Sequence, residues 1–246
     1  MTRIIGISGR KQAGKSTTAN FINGDILLQR EMVKNFYIDA SGELVIQTSL
    51  QDGTTGYGVF DITRKDDSFV EYAEKELWPF VKTYHFADTL KKLAVNLFDI
   101  APMMVYGRDG DKNSLTHYNW EDMPTDTGKT GRMTAREFLQ YFGTTLVRKI
   151  NDNAWVHATI SRIQHEGSEV AVVPDVRFPN EVAAIKQTGG VVIRMERDPF
   201  NDPHPCESAL DADKYDWDNF DVIVPNTAVT IKQLCEELST HTSIWR

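Results

Sequence analysis

The sequence predicts an α/β fold with a mostly parallel sheet covered by helices on both faces. Two observations predict it. Short apolar runs recur along the chain, at Arg3–Ser8, Val81–Phe86, Glu169–Pro174, Val191–Met195 and Asp221–Val224. The segments between several of them carry helical spacing or helix-capping patterns. Strands that alternate with helices favour parallel pairing, which buries both faces of the sheet.

Each element has its own signal. Arg3–Ser8 (RIIGIS) is an apolar run ending at glycine, and Lys15–Ile22 continues as a helix. From Asn35 to Thr63 the chain turns polar and glycine-rich, with β-prone pieces at Leu44–Gln47 and Tyr57–Ile62; this predicts a surface hairpin inserted at about 35–65. Ser68–Trp78 predicts a helix closed by Pro79. After the second strand, Leu90, Leu93, Ala94, Leu97 and Phe98 form a helical stripe, with Asp88 or Thr89 as its cap. Gly107–Arg132 is rich in Gly, Asp, Asn and Thr and predicts a long loop. Thr134–Glu137 fits a capping box opening a helix through about Phe142, and another helix covers Ala154–Gln164. Asn180 is placed to cap the helix Glu181–Thr188, which Gly189–Gly190 stops. Thr230–Gln233 is a second capping box, opening the last helix. The chain reads as a single domain, 1–246, with the insertion and the long loop.

Composition narrows the function classes. The 246 residues are 41% apolar and 25% charged, as in a globular protein with a substantial core. The net charge of −8 argues against a stable nucleic-acid partner. No apolar run approaches the roughly 18 residues of a membrane helix, and the N-terminus enters a strand without a leader pattern. Cys206 and Cys235 form no CxxC pair, so neither a disulfide scaffold nor a zinc site is expected, and a reducing cytoplasm is. Cys235 falls on the apolar stripe Ile231, Leu234, Cys235, Leu238 and reads as core.

The strongest motif lies at the end of the first strand. Gly9–Arg–Lys–Gln–Ala–Gly14–Lys15–Ser16 satisfies G-x-x-x-x-G-K-[ST] between an apolar run and a helix. Gly9 and Gly14 let the backbone turn so that its N–H groups face phosphate oxygens, and the helix end adds a positive dipole. Lys15 would reach the β- and γ-phosphates, and the Ser16 hydroxyl would take a Mg²⁺ position. The motif therefore predicts a P-loop NTP hydrolase fold and a nucleotide-binding set of Gly9, Ala13, Gly14, Lys15 and Ser16. It does not say which reaction follows. Asp175, at the carboxyl end of the third strand, is the acid expected near the metal, with Arg177 two residues on; an ordinary loop ion pair is the alternative.

Three features suggest an acceptor site. Lys91 and Lys92 are expected in the first turn of their helix, where the dipole favours an anion, though a solvated pair explains them equally. Arg136 and Gln140 lie four apart on one helix face, suited to grip a phosphate and read a base edge, or to sit solvated. Tyr118 and Trp120 lie in the polar 107–132 stretch, where Trp120 either stacks on a nucleobase as the loop orders or packs permanently.

Several segments in this order resemble the phage deoxynucleoside monophosphate kinases: GRKQAGKSTTA, FADTLKKL, YGRDGDKNSLTHYNWEDMP, MTAREFLQYFGT with Trp155–Val156, VVPDVRFPNE, VVIRMERD, HPCE and DVIVPN. The resemblance implies a central five-stranded parallel sheet and transfer from ATP, with Mg²⁺, to a deoxynucleoside monophosphate. It places Lys15, Ser16 and Thr17 at ATP and metal, and Lys91, Arg136 and Gln140 at the acceptor, with Trp120 and Trp155 beside it. Asp175 and Arg177 then face the reacting phosphates, Arg197 is a lid-region arginine and Asn226 lies near adenine. Catalysis would rest on Lys15, Asp175 and Arg177, and metal binding on Ser16 and Asp175. His204 and Glu207 match an H-x-x-E pattern without an assigned role. A homodimer and a host-cell cytoplasmic location are compatible with this reading. The alternatives are a P-loop kinase of dephospho-coenzyme A or phosphomevalonate, and a nucleotide-dependent nucleic-acid-binding regulator.

Overall fold

A computed structural model describes residues 2–49, 53–64, 66–125, 127–199, 205–225 and 230–246. In chain order the strands are β1 (Arg3–Gly9), β2 (Asn35–Ile38), β3 (Leu44–Ser49), β4 (Thr55–Val59), β5 (Val81–Thr83), β6 (Leu115–Asn119), β7 (Arg132–Thr134), β8 (Val170–Val176), β9 (Val191–Met195) and β10 (Val222–Val224). The chain divides into two compact units, Met1–His85 with Ile160–Arg246, and Phe86–Thr159.

The first unit is built on a five-stranded sheet in the order β10-β9-β1-β8-β5, and every pairing is parallel. The α/β expectation holds, with all five core strands where the apolar runs lie. Because side chains alternate along a strand, β1 serves both faces. Ile5 and Ile7 pack with Phe21, Ile22 and Ile26 of the helix Lys15–Gln29 and with Leu234 and Leu238 of the helix Ile231–Ser239. On the other face, a Cβ added at Gly6 would stand 2.7 Å from Cδ1 of Ile185, in the helix Pro179–Gln187. No helix among the described residues is long and apolar enough to cross a membrane.

Several boundaries differ from the expectation, each for a local reason. The first helix runs to Gln29 rather than ending near Ile22. Asn23, Gly24 and Asp25 look like a stop but are all buried. Asn23 donates to the carbonyl of Ala19 at 2.8 Å and to Oγ1 of Thr83 at 3.1 Å. Asp25 accepts from the Trp245 indole at 2.9 Å and from Arg246 at 2.7 Å. The insertion is a three-stranded antiparallel meander, β2-β3-β4, rather than one hairpin. The four residues of β2 (NFYI) carry too little alternation to signal a strand. Asn180 is not a cap: the helix starts at Pro179, and the Glu181 carboxylate accepts from the N–H groups of Arg177 and Phe178 at 2.7 and 3.1 Å. Both capping boxes, at Thr134 and Thr230, are present.

The second unit has its own core of Ala94, Ile100, Val105, Trp120, Met133, Ala135, Phe138 and Tyr141. Here the long-loop reading of 107–132 is corrected. The stretch contains a short helix, Asp109–Lys112, the strand β6 paired antiparallel with β7, and a 3₁₀ turn, Trp120–Asp122. Its polar residues are internally bonded: Thr116 donates to the Met133 carbonyl at 2.8 Å, and the Tyr118 hydroxyl donates to the Phe98 carbonyl at 3.1 Å. A polar composition therefore hid an ordered pair of strands.

Gly24 gives a direct test of the packing between the first helix and the insertion. A Cβ there would lie 2.4 Å from the Phe36 ring and 2.8 Å from Leu44. Alanine in a helix interior ordinarily gains about 0.5–1 kcal/mol over glycine, but overpacking costs about 1–3 kcal/mol. Gly24→Ala should therefore lose about 1–2 kcal/mol in urea unfolding; a stabilised variant would show that the meander yields freely.

Candidate functional site

The parallel sheet gathers its loops at the carboxyl ends of the strands, and there β1 runs into the glycine loop. Gly9 has φ 156° and Gly14 φ 100°, and Gln12 adopts a left-handed φ of 58°. A side chain at Gly9 would stand 2.9 Å from Cβ of Met195 in β9. The loop closes on itself where the Ala13 N–H donates to the Arg10 carbonyl at 3.1 Å. The helix then opens at Lys15 with Gly14 as its N-cap and no side-chain cap. Its first-turn N–H groups thus point out of the helix end without a capping side chain, the arrangement an anion exploits.

Lys15 folds back into this loop. Its ammonium donates to the carbonyls of Gly9 and Arg10 at 2.7 and 2.6 Å. Burial is the largest influence on it and lowers its pKa from 10.5 to about 8, aided by the cationic Arg177 and Arg194 and opposed by Glu207 and Asp175. The structure thereby brings together Lys15, Asp175 and Arg177, as the sequence suggested. Ser16 is exposed at the helix start. Thr17 lies against the β2–β3 turn, its Oγ1 2.5 Å from where a Cβ on Gly42 would be. Arg197 is exposed just beyond β9. Asn226 and His204 lie outside the described residues.

Five charged residues that sequence reasoning left without a role complete the cluster. Glu207, half of the H-x-x-E pattern, forms an ion pair with Arg177. Its other carboxylate oxygen is buried and unpartnered among the described residues. Arg10, inside the glycine loop, is 8% exposed and donates through two of its nitrogens to Asp211, Nε lying 3.0 Å from Oδ1; Asp198 is 3.4 Å away. Arg194 is 3% exposed in β9, donates to Ser8 at 3.1 Å, lies 3.6 Å from Asp211, and stacks over the Trp217 ring at 5.0 Å. Desolvation lowers the Arg194 pKa, with Asp211 opposing. Arg194 had a sequence signal, since a charge at a buried position of an apolar strand requires a partner. Asp211 had none.

The acceptor candidates all lie in the second unit. Arg136 donates to Asn113 at 3.1 Å, and Gln140 is exposed on the same helix, Ala135–Gln140. The helix carrying Lys91 begins at Ala87, so Lys91 and Lys92 stand in its second turn and the first-turn argument is corrected. Lys91 lies 5.7 Å from the Tyr106 ring centre instead. Trp120 and Trp155 are only 8% and 6% exposed. Trp120 meets Tyr141 edge-on at 5.7 Å with Lys129 over its ring, and the Trp155 indole donates to the Gly143 carbonyl at 3.0 Å. Both are packed side chains here, which for Trp120 is the second of the two alternatives that the sequence leaves open.

A protein-family model described as Deoxynucleotide monophosphate kinase matches residues 3–236. A provisionally named deoxynucleotide monophosphate kinase of Acanthamoeba polyphaga mimivirus is 29% identical over 170 residues, covering 62% of this chain and 78% of that protein. The deoxynucleoside-5'-monophosphate kinase of Escherichia phage T5 is 30% identical over 90 residues, covering 32% of this chain and 36% of that one.

The buried ammonium of Lys15 has a measurable consequence in the ligand-free protein. A lysine whose folded pKa is depressed costs stability in full below the folded value, and the cost fades as pH rises toward the unfolded value. Lys15→Met should therefore be more stable than the wild type at pH 7, by about 1–3 kcal/mol. The gain should shrink between pH 8, the folded value, and pH 10.5, the unfolded one. A variant destabilised equally at both ends of that range would show that Lys15 is not desolvated.

Proposed function

The chain belongs to the deoxynucleotide monophosphate kinase family, and we propose that it transfers the γ-phosphoryl group of ATP to a deoxynucleoside monophosphate, giving the diphosphate and ADP. It is accordingly a phosphotransferase with a small nucleotide as substrate. The observation that carries the ATP reading is the glycine loop between β1 and its helix. Its lysine is held on loop carbonyls and its electrostatic neighbours are Asp175, Arg177 and Glu207. The family match favours this acceptor over dephospho-coenzyme A, phosphomevalonate or a regulatory role.

The chemistry asks little covalent work of the protein. An oxygen of the acceptor phosphate attacks the γ-phosphorus in line, and the bond from that phosphorus to the β-phosphate oxygen breaks. The attacking oxygen is already ionised, so no strong base is required. What is required is orientation and positive charge around the transferring group. In our reading Lys15 and Arg177 supply that charge, while Gly9, Ala13, Gly14, Ser16 and Thr17 seat the phosphates. Arg197 and Asn226 remain proposals for the nucleotide's outer contacts. Lys91, Arg136 and Gln140 are proposed for the acceptor.

Magnesium fits the donor set. Among the described residues no three acidic, histidine or cysteine groups cluster as a metal cage, and Mg²⁺ bound to phosphates typically takes only one or two protein ligands. Ser16 and Asp175 would hold it. When bound, it neutralises charge on the β- and γ-phosphate oxygens. A cytoplasmic location, where nucleotides and ATP are supplied, belongs to the same proposal.

Two substitutions and one panel test the reading. Lys15→Ala should fold and lose about a hundredfold or more in turnover, since it removes a contact made best in the transition state. A folded variant with near-native turnover would refute the loop's role. Arg136→Ala should raise the KM of the acceptor about tenfold or more, the worth of a charge-assisted bond, and leave ATP affinity alone. The reverse pattern would put Arg136 on the donor side. ADP release measured across deoxy- and ribonucleoside monophosphates should be fastest with deoxynucleotides; no turnover with any of them would refute the assignment.

A further inference from the structure

Two carboxylates on one short stretch hold the cations of the glycine-loop region. Glu207, in the helical turn Pro205–Ser208, pairs with Arg177 just beyond β8. Four residues later Asp211 takes both Arg10 of the glycine loop and Arg194 of β9. The stretch is fixed by its own backbone. The Asp211 N–H donates to the Ser208 carbonyl at 3.2 Å, and the Asp211 carbonyl accepts from Lys214 and Tyr215 at 2.9 and 2.8 Å. Leu210 between them is 1% exposed, and its carbonyl accepts from the Trp217 indole at 2.9 Å.

Arg10 is the link to the chemistry. Its carbonyl is one of the two that seat the Lys15 ammonium, and the same carbonyl accepts from Ala13. Holding the Arg10 side chain therefore holds the peptide that positions Lys15. A negative charge beside a triphosphate site opposes the ligand by simple repulsion. Two such charges at this place call for a compensating gain, and orientation of the site's cations supplies one.

We infer that the Glu207–Asp211 turn is the positioning element of the phosphate site, Glu207 acting through Arg177 and Asp211 acting through Arg10. The inference rests on the glycine loop being the ATP phosphate site, as proposed above. Neither carboxylate touches the reacting atoms; each sets the direction of a cation that does, or of the loop beneath it.

Steady-state kinetics with Mg²⁺–ATP and a deoxynucleoside monophosphate test this, with melting temperature measured alongside. Asp211→Asn and Arg10→Met should each raise the KM for ATP about tenfold or more while the acceptor KM stays within about twofold. The double variant should be no worse than the more damaged single one, because both changes remove the same link. Glu207→Gln should lower kcat about tenfold or more with both KM values within about threefold. Should Asp211→Asn fail to fold, Arg10→Met carries the same readout, since it removes a cation rather than stranding one. Lowered melting temperatures with native kinetic constants would make the turn purely structural and overturn the inference. So would additive losses at Arg10 and Asp211. Native turnover in Lys15→Ala would instead refute the phosphate-site reading itself, so the two failures are distinguishable.

Discussion

Everything at the candidate site depends on concentrating positive charge at one end of the parallel sheet without letting it repel itself apart. Lys15 and Arg10 follow β1, Arg177 follows β8 and Arg194 lies within β9. These three strands are adjacent, with β1 in the middle. Parallel pairing is what puts their carboxyl ends side by side. The repulsion is visible in Lys15, whose pKa falls partly because Arg177 and Arg194 are near. Asp211, Asp198 and Glu207 restrain it, and the two arginines most buried, Arg10 and Arg194, share the same carboxylate. A buried cation without such a partner would cost several kcal/mol.

The first helix carries that constraint into the rest of the unit. It begins at the glycine loop, and along its length three polar side chains, two of them buried, tie it to separate parts of the fold. Asn20 donates to the Gly42 carbonyl in the β2–β3 turn at 2.9 Å. Asn23 reaches Thr83 of β5. Asp25 holds Trp245, itself packed edge-on against Phe21. The insertion is thus seated on the helix that bears Lys15 and Thr17, with Phe36 filling the space that Gly24 leaves.

These ties explain what the sequence disclosed and what it hid. The five core strands were legible because a strand buried on both faces must be a nearly unbroken apolar run, and chance rarely produces five. The glycine loop was legible because its chemistry fixes residue types at fixed offsets, and Lys15, Asp175 and Arg177 do converge. Elements stabilised by particular polar bonds were not legible. The Asn23–Asp25 continuation of the helix and β6 depend on partners elsewhere in the chain, such as Trp245 and Met133. Asp211 is the extreme case: its partners lie 201 and 17 positions away, and nothing around it marks it.

The same arrangement bears on what kind of reaction the site suits. A site built for proton abstraction would place a carboxylate or imidazole in a surrounding that raises or tunes its own pKa. Near the glycine loop, Asp211 and Glu207 are instead paired with the guanidinium groups of Arg10 and Arg177. The shift that stands out is the opposite one, an ammonium held in a state ready to gain from an incoming anion. Bringing a triphosphate against Lys15 would favour its charged form and so offset part of the cost of burying the ammonium. A loop arranged in this way is suited to moving a phosphoryl group between two anionic oxygens, where fixed positive charge matters more than an acid or a base.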